Sequence, residues 1–374
     1  MIGTAVGCGW FSCAGKYQSL EKYGLLSLDV RFLCEDNMKQ KTSVWMINVW
    51  ILILVMALSG CGTAGDGGTG ENRDDTEMTE SITFTDALER DVTVTWPAEA
   101  AGPERVAALL GSYAQVWTLA GGTVCATADD AWDEFDLELA DDVVNLGNTK
   151  SLSLEKLLAS EPQLILASVN TRQNMEWLDT LEATGIPTAY FEVNSFVDYL
   201  NMLKLCTEIT GRDDLYEMYG TDVERNICEV KDRMAQWIDL QNVEGKEPPK
   251  VLTMRASAAI IKAKNSESTV LGEALKDLGC INIADSDTNI LENLSLERIL
   301  EEDPDHIFFV QHGDNSEGTK AHVEQYFKEN QAWLELTAVK EGRVHFMDKQ
   351  LFSMKPNHRW NETYEILEGI LTDE

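Results

Sequence analysis

The feature that most constrains the fold of this chain is an internal repeat. Residues 152–168 read LSLEKLLASEPQLILAS, and residues 294–310, 142 positions further on, read LSLERILEEDPDHIFFV. Each copy predicts a short helix capped by serine, an acidic turn that contains proline, and an apolar strand. Two such units so far apart predict two similar α/β domains, and 374 residues are enough to give each its own core.

Continuous apolar runs and one long amphipathic segment complete the predicted architecture. Runs of the kind found in parallel sheets covered on both faces occur at residues 105–110, 164–167, 251–254 and 306–310. From residue 213 to 241 apolar side chains recur at helical spacing, which predicts a helix about 43 Å long at about 1.5 Å per residue. We therefore predict an α/β fold of two Rossmann-like lobes with central sheets, joined by one long interlobe helix.

The N-terminal region has the pattern of an export signal. Lys39 and Lys41 precede an apolar run at residues 44–58, which ends in Leu58-Ser59-Gly60-Cys61. The run is short for a membrane span and typical of a signal-peptide core. Its ending resembles the bacterial lipobox, so Cys61 is the predicted lipidation site. The alternative is a buried helix that ends at Gly60.

The position of this signal predicts the organisation of the whole chain. A signal peptide begins near its own methionine, so Met38 is the natural start and residues 1–37 are interpreted as a spurious upstream extension. The alternative is an unusually long charged region, which leaves the mature protein unchanged. The expected parts are a signal peptide at 38–60, a flexible tether at 61–80, an N-terminal lobe at 81–195, a helical linker at 196–245 and a C-terminal lobe at 246–374.

Composition and spacing argue against several function classes. A net charge of -34 makes nucleic acid an improbable partner, because phosphate binding needs a basic face. The four cysteines beyond the anchor show no C-x-x-C spacing and are expected in the core; they are Cys125, Cys206, Cys228 and Cys280. The five histidines suggest no metal cluster, and G-x-S-x-G, H-E-x-x-H and P-loop motifs are absent. No catalytic residue, metal site or cofactor is predicted, and a secreted metal-dependent enzyme is the alternative class.

Four segments resemble a known family. They read ITFTDALERDVTV, ERVAALLGSYAQVWTLAG, VVNLGNTKSLSLEKLLASEPQLILAS and NQAWLELTAVKEGRVHFMDKQLFSMKPNHRW. With the single interlobe helix, they resemble the substrate-binding lipoproteins of ABC importers in the ferric siderophore, haem and cobalamin periplasmic-binding family, which has the class III periplasmic-binding fold. The resemblance runs from Ser81 to the C-terminus. It departs from the family at Glu89-Arg90, where Gly-Arg is usual, in the turn of the first hairpin.

The resemblance implies a receptor and not an enzyme. Its expected ligand is an iron complex, either a ferric siderophore or haem, with cobalamin as the alternative. The implied partner is a dimeric ABC permease, and the implied location is the outer face of the cytoplasmic membrane, with the protein held there as a lipid-anchored monomer. The resemblance also implies that Glu155 and Glu297, equivalent residues of the two repeats, dock on permease arginines. Ordinary helix N-terminal capping is the alternative role.

Ligand contacts are expected in loops at the carboxyl ends of the parallel strands. Cationic side chains there suit siderophore anions or haem propionates, and aromatic rings suit flat ligand faces. Met254 or His312 could also ligate a haem iron, and each position could instead be a solvated or core residue. The candidates are Ser112, Tyr113, Trp132, Asn170, Arg172, Met254, Arg255, Lys264, His312, Phe352, Lys355 and Arg359, beside Gly111, Thr171, Gln311 and Asn357.

Overall fold

The computed structural model describes residues 78–267, 269–313 and 315–373. The predicted upstream extension, signal peptide, lipidation site Cys61 and most of the tether lie outside these residues. The first strand begins at Thr79, two residues before the expected start of the N-terminal lobe. No helix in the described ranges is long and apolar enough to cross a membrane.

Strands and helices alternate along the chain after an initial hairpin. The strands are β1 Thr79–Thr85, β2 Asp91–Pro97, β3 Val106–Ala108, β4 Val124–Thr127, β5 Val144–Asn145, β6 Leu164–Ser168, β7 Thr188–Phe191, β8 Lys250–Ala256, β9 Ile261–Lys264, β10 Ile281–Asn282, β11 His306–Gln311 and β12 Val344–Met347. The helices are α1 Gly111–Leu119, α2 Asp130–Asp133, α3 Leu154–Ala159, α4 Arg172–Glu176, α5 Leu178–Thr184, α6 Phe196–Thr210, α7 Asp213–Tyr216, α8 Asp222–Val243, α9 Val270–Asp277, α10 Thr288–Asn293, α11 Leu296–Glu302, α12 Ser316–Glu329, α13 Thr337–Lys340, α14 Lys349–Phe352 and α15 Trp360–Thr372. A π-helical turn spans Glu217–Thr221, and short 3-10 helices span Gln331–Glu335 and Asn357–Arg359.

Each lobe is built around one sheet. The first sheet has five parallel strands in the order β5-β4-β3-β6-β7. The second has the parallel order β10-β8-β11-β12, with β9 antiparallel to β8. The four predicted apolar runs form β3, β6, β8 and β11, which are central strands. The prediction of an α/β fold with two sheet-containing lobes is confirmed.

The repeat forms the same elements in both lobes, but its capping differs. In the first copy the Lys156 backbone N–H donates to Ser153 Oγ at 3.3 Å, as predicted. In the second copy Ser295 precedes α11 without a side-chain cap, so that part of the prediction is wrong. The chain reaches Ser295 from α10 through Leu294, which has a left-handed φ of 49°. In this turn the Ser295 backbone N–H donates to Asn289 O at 3.2 Å.

The connection between the lobes is helical from Asp213 to Val243. Helix α6 ends before it at Gly211, whose φ is 67°, and α7, the π-helical turn and α8 then follow without a break. The predicted long helix is therefore confirmed, and it extends slightly beyond residue 241. The sequence did not predict the π-helical turn, where the Tyr199 hydroxyl donates to Tyr219 O at 2.9 Å.

The lobes share part of their hydrophobic core. One cluster joins the inner faces of both sheets through buried residues of α8 and α15, including Ile227, Met234, Trp360 and Leu367. The opposite face of each sheet has a separate cluster. The expectation that each lobe has its own core is thus only half right, because α8 and α15 lie against each other and bridge the lobes.

Cys125, Cys206 and Cys280 are free thiols. Cys206 and Cys280 are buried, as expected, and burial raises the pKa of each thiol to about 12. Cys125 and Cys228 are half-buried. In the same ranges no group of three or more histidine, cysteine or acidic side chains is arranged to hold a metal ion.

Candidate ligand-binding site

A cavity of about 70 Å³ lies at the carboxyl edge of the second sheet. Strands β8 and β11 are neighbours there, and the chain passes to β9 and β10 on one side and to β12 on the other. Such a switch point leaves a crevice between the diverging loops. The lining residues are Asn194, Thr253, Met254, Arg255, Lys264, Thr269, Val270, Leu271, Val310, Phe352, Ser353, Met354 and Lys355.

The charged side chains of this lining are all cations. Arg255, Lys264 and Lys355 are cations, and no acidic side chain of the described residues lines the cavity. Arg255 lies at the end of β8 and its Nη2 donates to Ser353 Oγ at 3.3 Å, without a carboxylate partner. Burial lowers the pKa of Arg255, since it penalises the charged guanidinium. An arginine so placed remains charged and is available to an anion.

Lys355 connects the cavity to the first lobe. Its ammonium donates to Val193 O, which follows β7. Burial lowers the pKa of Lys355, and the charges of Asp198, Glu273 and Glu192 oppose that effect. Burial raises the pKa of Glu273 to about 7, with a further contribution from Asp198. Three carboxylates are therefore close enough to the Lys355 ammonium to stabilise its charge.

The positive region extends beyond the cavity to His312, which follows β11. Burial lowers the pKa of His312, and the positive charges of four side chains lower it further; they are Arg255, Lys150, Lys264 and Lys349. Four cations close enough to act on one imidazole make the potential positive at the carboxyl edge of the second sheet. This potential stands out on a chain whose net charge is -34.

Residues 349–359, which we call the interlobe segment, bond to the first lobe as well as forming part of the cavity wall. Lys349 forms an ion pair with Glu134, and the Gln350 side-chain amide donates to Glu134 O at 3.0 Å. The Asn357 amide donates to Ser112 O at 3.0 Å and to Gln115 Oε1 at 2.8 Å. The same segment therefore contributes to the cavity and to the contact between the lobes.

Comparison with known proteins identifies the class of this fold and cleft. The family described as Periplasmic binding protein matches residues 106–351. The chain belongs to this family. It is 26% identical over 213 residues to the iron-uptake system-binding protein of Bacillus subtilis (strain 168), a match that covers 56% of this chain and 62% of that relative.

Two further similarities extend over more of the chain. The uncharacterized ABC transporter substrate-binding lipoprotein YvrC of Bacillus subtilis (strain 168) is 20% identical over 341 residues, which is 90% of this chain and 99% of that relative. The solved structure of the petrobactin-binding protein YclQ from Bacillus subtilis is 18% identical, covers 79% of this chain and 100% of its own, and superposes with a TM-score of 0.60. The predicted family and class III fold are confirmed.

Five of the predicted ligand residues of this periplasmic binding protein line the cavity: Met254, Arg255, Lys264, Phe352 and Lys355. Met254 and Arg255 near the end of β8 and Lys355 after β12 follow from the rule that loops and strand ends at the carboxyl edge bind ligands. Lys264 ends the antiparallel β9 and pairs with Thr253 in the middle of β8. Phe352 is 1% exposed and belongs mainly to the shared core. Its ring thus closes the base of the cavity more than it offers a stacking face.

The structure does not bring the other predicted residues into the cavity. Tyr113 is 1% exposed and its hydroxyl donates to Phe191 O at 3.2 Å, so it packs inside the first lobe beside the buried Ser112. Arg172 is exposed and paired with Glu176. Arg359 donates to Glu362 and Gln350. The half-buried Trp132 and the exposed Asn170 and His312 also lie outside the lining.

Sequence reasoning missed eight lining residues. They are Asn194, Thr253, Thr269, Val270, Leu271, Val310, Ser353 and Met354. One signal was available, because Thr269 caps α9 by accepting from the Gly272 N–H at 3.0 Å, and a threonine before an apolar helical pattern predicts a helix start. Asn194 follows β7 and is the first-lobe residue of the described lining.

The two repeat carboxylates are placed alike in this periplasmic binding protein. Glu155 lies in the first turn of α3 and Glu297 in the first turn of α11. Both are exposed, and neither makes a side-chain hydrogen bond or ion pair within the described residues. Their positions leave both carboxylates accessible to another protein.

Proposed function

We propose that this chain is the lipid-anchored substrate-binding component of an ABC importer that captures an anionic iron complex, a ferric siderophore or haem, outside the cytoplasmic membrane. The observation that carries the proposal is the cavity wall, where three cations and no acidic side chain of the described residues occur in a chain of net charge -34. Arg255 in this wall is partly buried without a carboxylate partner, and removing such a cation from water is unfavourable unless an anion compensates it.

The lining also favours iron that arrives already chelated. No histidine, cysteine, aspartate or glutamate of the described residues lines the cavity, so the thioethers of Met254 and Met354 are the candidate ligands there for a haem iron. A naked iron ion needs several oxygen or nitrogen donors from the protein. The lining provides hydrogen-bond donors to an anionic chelator instead, from Arg255, Lys264 and Lys355, together with the hydroxyl of Ser353.

The volume of the cavity limits how such a ligand can bind. Sites for ligands of drug size have volumes of about 300–1,000 Å³, and this cavity has about 70 Å³. A chelate therefore places only its anionic part in the cavity, or the lobes separate. Separation would break the polar bonds of the interlobe segment to the first lobe, which include Lys349 to Glu134 and Lys355 to Val193 O.

Delivery to a permease is the second part of the proposal. Glu155 and Glu297 occupy equivalent, exposed positions on the two lobes. A permease of two subunits offers two equivalent surfaces, and complementary charges accelerate and orient the encounter. We assign docking to these two carboxylates and no catalytic step to the chain.

Absorption spectroscopy and fluorescence titration test the ligand class. Purified protein is titrated with haemin, with a ferric catecholate siderophore and with cobalamin, and tryptophan quenching reports binding. We expect saturable binding of one of the two anionic iron complexes that weakens in Arg255→Ala. Binding of cobalamin alone, unchanged by Arg255→Ala, would replace the iron-complex assignment with the corrinoid alternative. Failure of all three ligands would contradict the proposed function.

A further inference from the structure

The two sides of the cavity differ in charge, and this difference selects among iron chelates. Resting on the proposed function, we propose that the site takes a polarised chelate: its anionic face lies against Arg255 and Lys264 of the second lobe, and an uncharged, hydrogen-bond-accepting face lies against Asn194 of the first lobe. Asn194 is then a specificity-determining residue, with Asn170 and Glu192 as the residues that position it.

The amide of Asn194 is held in one orientation by its neighbours. Asn170 Nδ2 donates to Asn194 Oδ1 at 2.9 Å, and Asn194 Nδ2 donates to Glu192 Oε1 at 3.0 Å. An amide nitrogen has two hydrogens. Glu192 accepts one of them, and the second is left for a ligand oxygen because Asn194 lines the cavity. The first lobe thereby offers a neutral donor.

The charged groups near Asn194 are two carboxylates and one ammonium, that of Lys355, which donates to Val193 O. Glu192 and Asp198 are both close enough to Lys355 to oppose the lowering of its pKa, and Asp198 accepts from the Asn194 and Ser195 N–H groups at 2.9 Å. A ligand carboxylate or catecholate placed at Asn194 would lie beside the Glu192 carboxylate. Repulsion of this kind is a common source of specificity between related ligands.

The opposite side of the cavity has the reverse character. Arg255 lacks a carboxylate partner, and Lys264 makes no side-chain hydrogen bond or ion pair within the described residues. Both cations lie with Lys150 and Lys349 in the group that lowers the pKa of His312. Anionic donor groups of a chelate are therefore stabilised at this side. Amide or hydroxamate carbonyls suit the side of Asn194.

Two ferric chelates with different charge distributions test this assignment. Ferric enterobactin has three catecholates and is anionic around the whole metal centre, whereas ferric aerobactin combines hydroxamates with carboxylates. The ratio of their dissociation constants is measured by fluorescence titration for wild type, Glu192→Gln, Asn194→Asp and Asn194→Ala. Glu80→Gln is the matched control, because Glu80 is an exposed first-lobe carboxylate in the hairpin strand β1. Thermal unfolding of each variant verifies the fold.

We expect wild type to bind the mixed chelate more tightly. Glu192→Gln should improve enterobactin binding about threefold relative to aerobactin, the size of effect typical of one partly exposed charge. Asn194→Ala should weaken aerobactin binding about fivefold and Asn194→Asp about tenfold, since aspartate replaces a donor with an acceptor. Glu80→Gln should leave the ratio unchanged.

The outcomes separate this inference from the proposed function. If the ratio is the same in all variants while Arg255→Ala still weakens both chelates, the site binds anionic iron complexes without the proposed polarity, and the inference is wrong. If Glu192→Gln improves both chelates equally, the carboxylate acts as a general repulsive charge, and the inference is again wrong. If wild type binds neither of these chelates, nor haemin, the proposed function itself fails.

Discussion

Arg255 Nη2 lies 3.3 Å from Ser353 Oγ, and this bond links the end of β8 to the interlobe segment inside the cavity. Because no carboxylate neutralises the guanidinium, we expect Arg255→Ala to weaken binding of an anionic ferric chelate by about 1.5–3 kcal/mol, the range for hydrogen bonds to charged groups. Arg255→Lys should restore part of the affinity, since lysine keeps the charge and loses the planar fork. Fluorescence titration measures all three proteins.

Arg359 is the matched control for this experiment. The sequence placed it in the cleft with Arg255, but its guanidinium donates to Glu362 at 2.7 and 2.9 Å and to Gln350 at 2.8 Å. We expect Arg359→Ala to change the affinity by about twofold or less, as is usual for exposed ion pairs. A larger loss in Arg359→Ala than in Arg255→Ala would reverse this ranking and place the anion beside Arg359.

The repeat carboxylates are expected to affect transport and not ligand binding. Glu155→Ala and Glu297→Ala should each reduce iron uptake by cells while the dissociation constant of the purified protein changes less than about twofold, because both side chains are exposed on helices outside the cavity. Glu161→Ala, also on the first lobe, is the control and should transport normally. Loss of ligand affinity in a folded Glu155 or Glu297 variant would contradict docking as their role.

The anchor predicted from sequence is tested by one substitution. Cys61→Ala should release the protein into the medium, because each buried CH₂ of a lipid chain contributes about 0.8 kcal/mol and an acidic body gains nothing from anionic lipid. Fractionation of cells into membrane and medium, followed by immunoblotting, measures the distribution. A Cys61→Ala protein that stays with the membrane would show that another segment holds it there.

Asp86 in the first hairpin should make the free energy of unfolding depend on pH. Burial alone would raise the pKa of Asp86, but hydrogen bonds from Arg90, Tyr190 N–H and Leu88 N–H outweigh it and lower the pKa. Because the pKa of Asp86 is lower in the folded state, its carboxylate stabilises the folded protein fully above the ordinary carboxyl range near pH 4. This stabilisation is lost as the pH falls through the folded-state pKa.

Asp86→Asn should therefore reduce the free energy of unfolding by roughly 3 kcal/mol near pH 7, the range for breaking a buried ion pair. The difference from wild type should shrink below about pH 4. Denaturant unfolding at several pH values measures this, with the exposed Asp91→Asn as control. A difference that stays constant from pH 7 to pH 3 would exclude the Asp86 charge as its cause.

Glu89 occupies a backbone conformation that favours glycine, with a φ of 58°. A left-handed φ is unfavourable for L-residues by about 1–2 kcal/mol, and replacement by glycine removes this strain. Part of the resulting stabilisation is offset by the greater flexibility of glycine in the unfolded chain. We expect Glu89→Gly to stabilise the protein by up to about 1 kcal/mol in thermal unfolding. Gly211→Ala, at a φ of 67°, should have the opposite sign. Destabilisation by Glu89→Gly would mean that the Glu89 side chain contributes more than its backbone strain.

Local patterns in the sequence determined the fold class. Apolar runs of strand length and the repeated helix-turn-strand unit predicted β3, β6, β8 and β11 because burial on both faces of a parallel sheet requires such runs. Helical spacing over residues 213–241 predicted the connection between the lobes, since one apolar stripe must face the core. In the π-helical turn of that connection Tyr219 O accepts from Tyr199, a residue of another helix, and a local pattern does not contain such a contact.

The binding site was less predictable from sequence than the fold class. The position of Arg255 near the end of a central strand was enough to place it at the carboxyl edge, because every parallel strand ends at that edge. The rule does not place Lys264, which ends the antiparallel strand β9 opposite Thr253. Which edge residues remain available to a ligand was decided by contacts between segments distant in sequence: the Phe191 carbonyl accepts from Tyr113, and Asn170 orients the unpredicted Asn194. Sequence thus predicted five of the lining residues, and only three-dimensional packing decided which further residues line the cavity and which polar groups are left without a partner of their own.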